Sequence, residues 1–367
     1  MCLLPNAGSF GMAVSTAMIF GLVSLMFLDT SINMAMQPFK MMVGDMVNEK
    51  QKGLAYSIQS FLCNAGSLVG FLFPFIFTWI GISNIAPQGV VPDSVIYSFY
   101  IGASILILCV IYTTVKVKEM PPAEYAEYHG ITEEEKKEKI NLVKLLVKAP
   151  KAFWTVGLVQ FFCWFAFMFM WTYTNGSVAA NVFDAPTVET VVNGANKVVL
   201  DTKSIQYQNA ADWVGVLFAV QAIGSVLWAV CIPMFKNRKL IYSLSLVLGG
   251  IGFISTYFVH NQYVLFISFL LIGCAWAAML ALPFTILTNA LSGGHMGTYL
   301  GLFNGTICIP QIVAATLGGS ILALFTPKGM LPPEINMLVM AGVMLIIGAV
   351  CVYSVSYTHL RAHETLS

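Results

Sequence analysis

Two charged side chains, Asp29 and Lys40, fall inside a long apolar stretch of this chain. The segment is Leu28-Asp29-Thr30-Ser31-Ile32-Asn33-Met34-Ala35-Met36-Gln37-Pro38-Phe39-Lys40. Positions 29, 33, 37 and 40 recur at three- and four-residue steps, so a helix carries them on one face. Asp29 and Lys40 would lie about three turns apart, roughly 16 Å along the axis. That is too far for a direct ion pair, yet both can line one aqueous path. A charge within a bilayer is costly, so such residues face a cavity or a partner. Desolvation makes a carboxylate hold its proton more tightly, which is what a proton carrier needs. Asp29 is therefore read as a proton-coupling residue and Lys40 as its charge partner near the cytoplasmic end. Asn33 and Gln37 are read as substrate contacts between them. The plainer alternative has Lys40 reaching to the interface and Asp29 bonded to a neighbouring helix.

A second constellation comprises Gln160, Trp164, Trp171, Tyr173 and Thr174. Gln160, Trp164 and Trp171 lie near one helical face. Sugars are bound by aromatic rings on their C–H faces and by amides and hydroxyls at their OH groups, with few charges needed. Asn304 and Gln311 are seven residues apart beside Pro310 and share a face. With Asn289, Gln221 and Trp276 they would complete a neutral polar cavity. Taken alone, a tryptophan-rich span is more often core- or lipid-facing, and polar residues also hold membrane helices together.

Other chemistry finds no motif. There is no Walker loop, HExxH or CxxC, and the eight cysteines mostly fall inside apolar runs. They read as small buried or lipid-facing residues rather than a disulfide set or metal site. His260 and His295 read as loop residues. The expectation is a protein that is not an enzyme and holds no cofactor or metal. A net charge of +1 argues against a nucleic-acid partner.

The elements that carry these residues follow from composition. Hydrophobic residues make up 58% of the chain and charged ones 10%, too few to cover a water-facing surface. A lipid bilayer as surroundings removes that need. A helix needs about 20 apolar residues to cross the hydrocarbon. Nine spans are expected: 12–36, 54–80, 95–116, 152–173, 212–235, 239–259, 263–290, 297–325 and 335–356. The fold class is thus all-α, a polytopic membrane bundle. Lysine and arginine crowd one set of loops, from Lys50 and Lys52 through the 117–151 segment to Lys236 and Arg238. The opposite set holds Lys197, Lys203 and Lys328. The first set is cytoplasmic and the N-terminus lies outside.

Charge also sets the organisation. Residues 1–117 form a three-helix bundle. The charged segment 118–151 is a cytoplasmic linker whose part Ile140–Val147 reads as a short helix on the membrane surface. Residues 152–356 form a six-helix bundle. An external insertion at 175–211 contains a hairpin, Val188 to Val192 and Lys197 to Leu200 around Asn193-Gly194. The tail 357–367 changes character abruptly and resembles translated adapter sequence, so it is expected not to be native.

Several of these segments together resemble sucrose- and maltose-type proton symporters of the major facilitator superfamily. The resemblance rests on Leu28 to Asn33, Gln37-Pro38-Phe39-Lys40, Val43-Gly44-Asp45-Met46, Gln51-Lys52-Gly53 and Gln59-Ser60-Phe61. It resumes at Gln160 to Ala166 and Trp171-Thr172-Tyr173-Thr174. It returns at Ala275-Trp276-Ala277, Leu282 to Leu287, and Met296 to Asn304 through Ile309-Pro310-Gln311-Ile312. It implies proton-coupled uptake of a disaccharide, with Asp29 as the proton site. The compact length and the absence of a long glycosylated loop point to a bacterial inner membrane, and a monomer is expected. Arginine is usual at the position of Lys40, and lysine lacks the planar fork for bidentate contacts. The family has twelve spans, so the resemblance implies a fragment without the first three, not expected to transport by itself. Two alternatives stand beside it. One is a sodium-coupled galactoside or glucuronide symporter, and the other is a membrane sugar sensor that does not transport.

Overall fold

The computed structural model describes residues 14–47, 51–82, 91, 93–118, 121, 124, 142–192, 195–235, 237–291, 296–327 and 329–354. Its helices are α1 (Val14–Met46), α2 (Lys52–Trp79), α3 (Asp93–Lys116), α4 (Leu142–Val147), α5 (Lys151–Asn181) and α6 (Ile205–Cys231). They continue with α7 (Arg238–Ser255), α8 (Leu265–Ala290), α9 (Met296–Phe303), α10 (Gly305–Phe325) and α11 (Ile335–Cys351). Long apolar sequences take this form because a helix satisfies its own backbone hydrogen bonds where water is absent. Eight helices among the described residues are long and apolar enough to cross a membrane. The ninth expected span corresponds to α2, a continuous helix of 28 residues that is not among the eight.

The chain divides into two compact units. The first comprises Met1–Asn48 and Val69–Lys136, the second Glu49–Leu68 and Lys137–Ser367. In the first, α1 runs unbroken through Pro38 for 33 residues, about 50 Å, well beyond the end expected at residue 36. Asp29 and Lys40 therefore belong to one continuous helix. In α3 the buried residues are Ser94 and Ala103, and the aliphatic run Ile105 to Leu108 is exposed.

The second unit is a closely packed helical bundle. α5 packs on α10, α11, α8 and α6, while α7 packs on α8 and α11, and α6 on α8. The close seams are made by glycine. A Cβ at Gly273 of α8 would sit 2.3 Å from the Gln221 carbonyl oxygen of α6, and one at Gly224 would sit 2.5 Å from that of Leu270. Each glycine admits the other helix's backbone, as is usual where small residues set membrane helix distances. Between α6 and α7, Trp228 Nε1 donates to Ser245 Oγ at 2.8 Å.

Three further boundaries differ from the sequence expectation. α5 continues to Asn181 and α6 begins at Ile205, so the connection outside helices is shorter than 175–211. The polar side chains there do not end the helix, because they bond back onto it. Thr174 Oγ1 donates to Met170 O, Ser177 Oγ to Tyr173 O, and Asn181 Nδ2 to Ser177 O. Ser204 caps α6 by accepting from the Tyr207 amide at 3.2 Å. The eighth expected span is divided at Asn304 into α9 and α10. The hairpin forms as expected: β1 (Thr187–Val192) pairs antiparallel with β2 (Ala195–Leu200), with Val192 opposite Ala195. Within the segment 140–147 expected to be helical lies α4, six residues held to α9 by Tyr299 Oη donating to Leu145 O at 3.3 Å. Residues 292–295 and the tail 357–367 lie outside the described residues.

Candidate functional site

α5 carries the densest arrangement. Gln160 is buried on it, and its Nε2 donates to the Met279 carbonyl of α8 at 3.0 Å. Met279 lies four residues before Pro283, which has no N–H to offer that carbonyl. The Gln160 amide replaces the missing helical donor. Its Oε1 remains buried without a partner among the described residues. One turn further, Trp164 is buried, and its Nε1 likewise has no partner there. An acceptor and a donor are therefore left open one turn apart on one face.

Aromatic rings surround them. Trp164 and Trp276 meet edge to face with centroids 5.8 Å apart, and Trp171 meets Trp276 edge to face at 5.7 Å. Trp164 and Trp171 lie 6.4 Å apart, and Phe167 packs on Trp276 at 4.8 Å. Trp164 is 9% exposed but Trp171 is 43% exposed, so the cluster opens at Trp171. α5 beyond Lys151, and all of α8, contain no charged residue. The cluster is thus aromatic and neutral, with unused hydrogen-bonding capacity in its buried part.

The other expected residues are placed more loosely. Asn304 occupies the turn between α9 and α10, and its amide N–H is shared between the Leu300 and Gly301 carbonyls at 3.2 Å each. Its Nδ2 points to Cys308 Sγ at 3.8 Å, and its buried Oδ1 has no partner among the described residues. Gln311 is half-buried on α10, one residue beyond Pro310. The face these two share is thus carried by an interrupted, proline-bearing helix rather than a straight one. α10 approaches α5 where Thr306 packs against Gly157, one turn before Gln160. Gln221 is buried on α6, and the Asn289 side chain lies outside the described residues.

On α1, Asp29 is exposed and its carbonyl accepts from Asn33 Nδ2 at 3.0 Å. The side chains of Gln37 and Lys40 lie outside the described residues. The structure brings Asp29 and Asn33 together on one unit, and Gln160, Trp164, Trp171 and Trp276 together on the other.

One titratable residue escapes the sequence reading. Glu334 precedes α11, and burial pushes its carboxyl up to about 7. The sequence signal is simple: it is the one acidic residue between Asp212 and Glu364, set after Pro332-Pro333 at the start of an apolar span.

No known protein-family profile and no curated protein matches the chain. Solved structures do. A major facilitator superfamily transporter, FucP, in the outward conformation aligns over 96% of this chain and 79% of its own, with a TM-score of 0.62 at 14% identity. A single-substitution variant of the E. coli fucose:proton symporter FucP aligns over 96% and 81%, with a TM-score of 0.58 at 15% identity. The fold is that of the major facilitator superfamily. With eight helices of membrane-crossing length and composition, the chain is an integral, multi-pass membrane protein. Irregular backbone such as the break between α9 and α10 is tolerated in a membrane where it is buried in protein or lines a cavity.

Proposed function

We propose that this protein is a secondary active transporter that couples proton entry to uptake of a neutral sugar of the disaccharide class. The observation that carries the reading is the uncharged tryptophan cluster of α5 and α8 beside the open Gln160 Oε1 and Trp164 Nε1. A sugar ring would lay its C–H face on Trp171 and Trp276, where the cluster opens. Its hydroxyls would donate to Gln160 and accept from Trp164. Asn304 and Gln311 would contribute further hydrogen bonds, and Asn33 and Gln37 of α1 are separate candidates for substrate contact. Two facts support proton coupling. Asp29 is the one carboxylate in the middle of α1, and a solved protein of this fold is described as a fucose:proton symporter.

In this reading residues 1–117 belong to an N-terminal half and 152–356 form the C-terminal half, joined through the linker 118–151. Lys40 is the fixed positive charge on the Asp29 face. The protein works as a monomer in a bacterial inner membrane, taking a sugar and a proton and needing no cofactor. The alternatives, sodium coupling and a sensor that binds without accumulating, are separated by the same experiment.

The test is uptake of labelled maltose and sucrose into proteoliposomes holding the product of the complete gene, with and without an imposed proton gradient, for wild type and Asp29→Asn. The expected result is gradient-driven accumulation that Asp29→Asn abolishes while sugar exchange persists. Accumulation that follows sodium instead, or that survives the substitution, overturns the role of Asp29. Sugar binding without accumulation in either gradient identifies a sensor.

A further inference from the structure

Glu334 sits in the connection 326–334, at the end of the second unit that the lysine distribution assigns to the outside. Its backbone is fixed on both sides: its amide donates to Pro332 O at 2.9 Å, and its carbonyl accepts from Met337 N at 3.0 Å. Its carboxylate lies on α5 directly over Gly176, filling the space that a side chain at 176 would occupy. The seat exists only because residue 176 has no Cβ.

Among the described residues, no side chain donates to the Glu334 carboxylate. The flanking hydroxyls of Thr174 and Ser177 are already committed to the carbonyls of Met170 and Tyr173. Among the described residues the Glu334 charge acts on Tyr173 of α5, while burial alone shifts Glu334 itself. α10 and α11 carry no acidic residue, basic residue or histidine. Lys328, in the same connection, lies outside the described residues. A partly buried carboxylate with no described donor or cation beside it favours its neutral form more than one in water does.

We propose that Glu334 is a proton-binding latch: protonated, it docks the α10–α11 connection onto Gly176 of α5, and deprotonated it leaves that seat for water. The latch uses neither Asp29 nor the tryptophan cluster, and it does not depend on what the protein transports. The sign follows from linkage. Burial raises the carboxyl above its ordinary value, to about 7. Docking is therefore fully favoured below the ordinary carboxylate range. It weakens as pH rises and loses its advantage on passing through about 7.

Hydrogen–deuterium exchange of the full chain in nanodiscs, between pH 5 and 8.5 and corrected for intrinsic rates, tests this. The reporters are the bonded amides of Met330, Glu334, Asn336 and Met337. Wild type is expected to lose protection there by roughly tenfold across a midpoint near neutrality, with the rest of α11 unchanged. Glu334→Gln, nearly isosteric and permanently neutral, should stay protected throughout. Gly176→Ala should be unprotected even at pH 5, because the methyl takes the carboxylate's place. Protection in wild type that does not vary with pH, or the same midpoint retained in Glu334→Gln, overturns the proposal. Because Glu334→Gln leaves the seat intact, the test stands even if Gly176→Ala fails to fold.

Discussion

α3 and the membrane-crossing part of α8 are each 24 residues long and comparably apolar, yet 11% of one and 67% of the other is buried. In α3 the bulky residues Ile105, Leu106, Ile107 and Leu108 stand exposed. In α8 the small residues Gly273, Ala275, Ala277, Ala278 and Ala281 are buried against neighbouring helices. Lipid tails are as apolar as leucine, so hydropathy does not separate a lipid-facing helix from a core one. Side-chain size does, because only small residues let two backbones approach.

The sharpest way to break this comparison is to enlarge a seam residue. Gly273→Leu should cost about 3 kcal/mol or more by forcing α8 away from α6. Leu108→Ala in α3 should stay within about 0.5 kcal/mol. Thermal unfolding of both variants in detergent checks the pair, and equal losses would show that burial does not govern stability here.

A smaller effect separates the polar residues of the two units. Gln160→Leu leaves the Met279 carbonyl without a donor in a dry interior and should cost about 1–3 kcal/mol. Asn33→Leu removes an amide that bonds within one turn of an exposed helix and should cost less than about 0.5 kcal/mol. The same detergent melts distinguish them. If Gln160→Leu proves neutral, the amide is present for ligand and not for the helix.

The smallest expected change is a gain. A Cβ at Gly70 of α2 would meet nothing within 4 Å, so Gly70→Ala should stabilise by about 0.5–1 kcal/mol through helix propensity alone. A loss of stability in the same assay would mean that the first unit packs against residue 70 in the membrane.

Much of this was legible in advance, for a physical reason. The bilayer demands about 20 apolar residues per crossing, and that requirement is local in sequence. Eight of the nine spans and the hairpin of β1 and β2 follow from it or from turn chemistry. The face shared by Gln160, Trp164 and Trp171 follows from helical periodicity alone. What failed were the ends and interruptions. Thr174, Ser177 and Asn181 look like loop residues until their hydrogen bonds to preceding carbonyls are seen. Asn304 looks like a helix face until its shared amide marks a break.

The sequence by itself determined the class of protein, its membrane helices and which residues lie along one face of each. Those properties depend on composition and on a repeat of 3.6 residues. Only the tertiary structure decided which apolar helices are core. It also showed that Gln160 answers the carbonyl freed by Pro283, and that Glu334 rests on Gly176. The last two join residues more than a hundred positions apart, and no local pattern encodes the distance at which two helices meet.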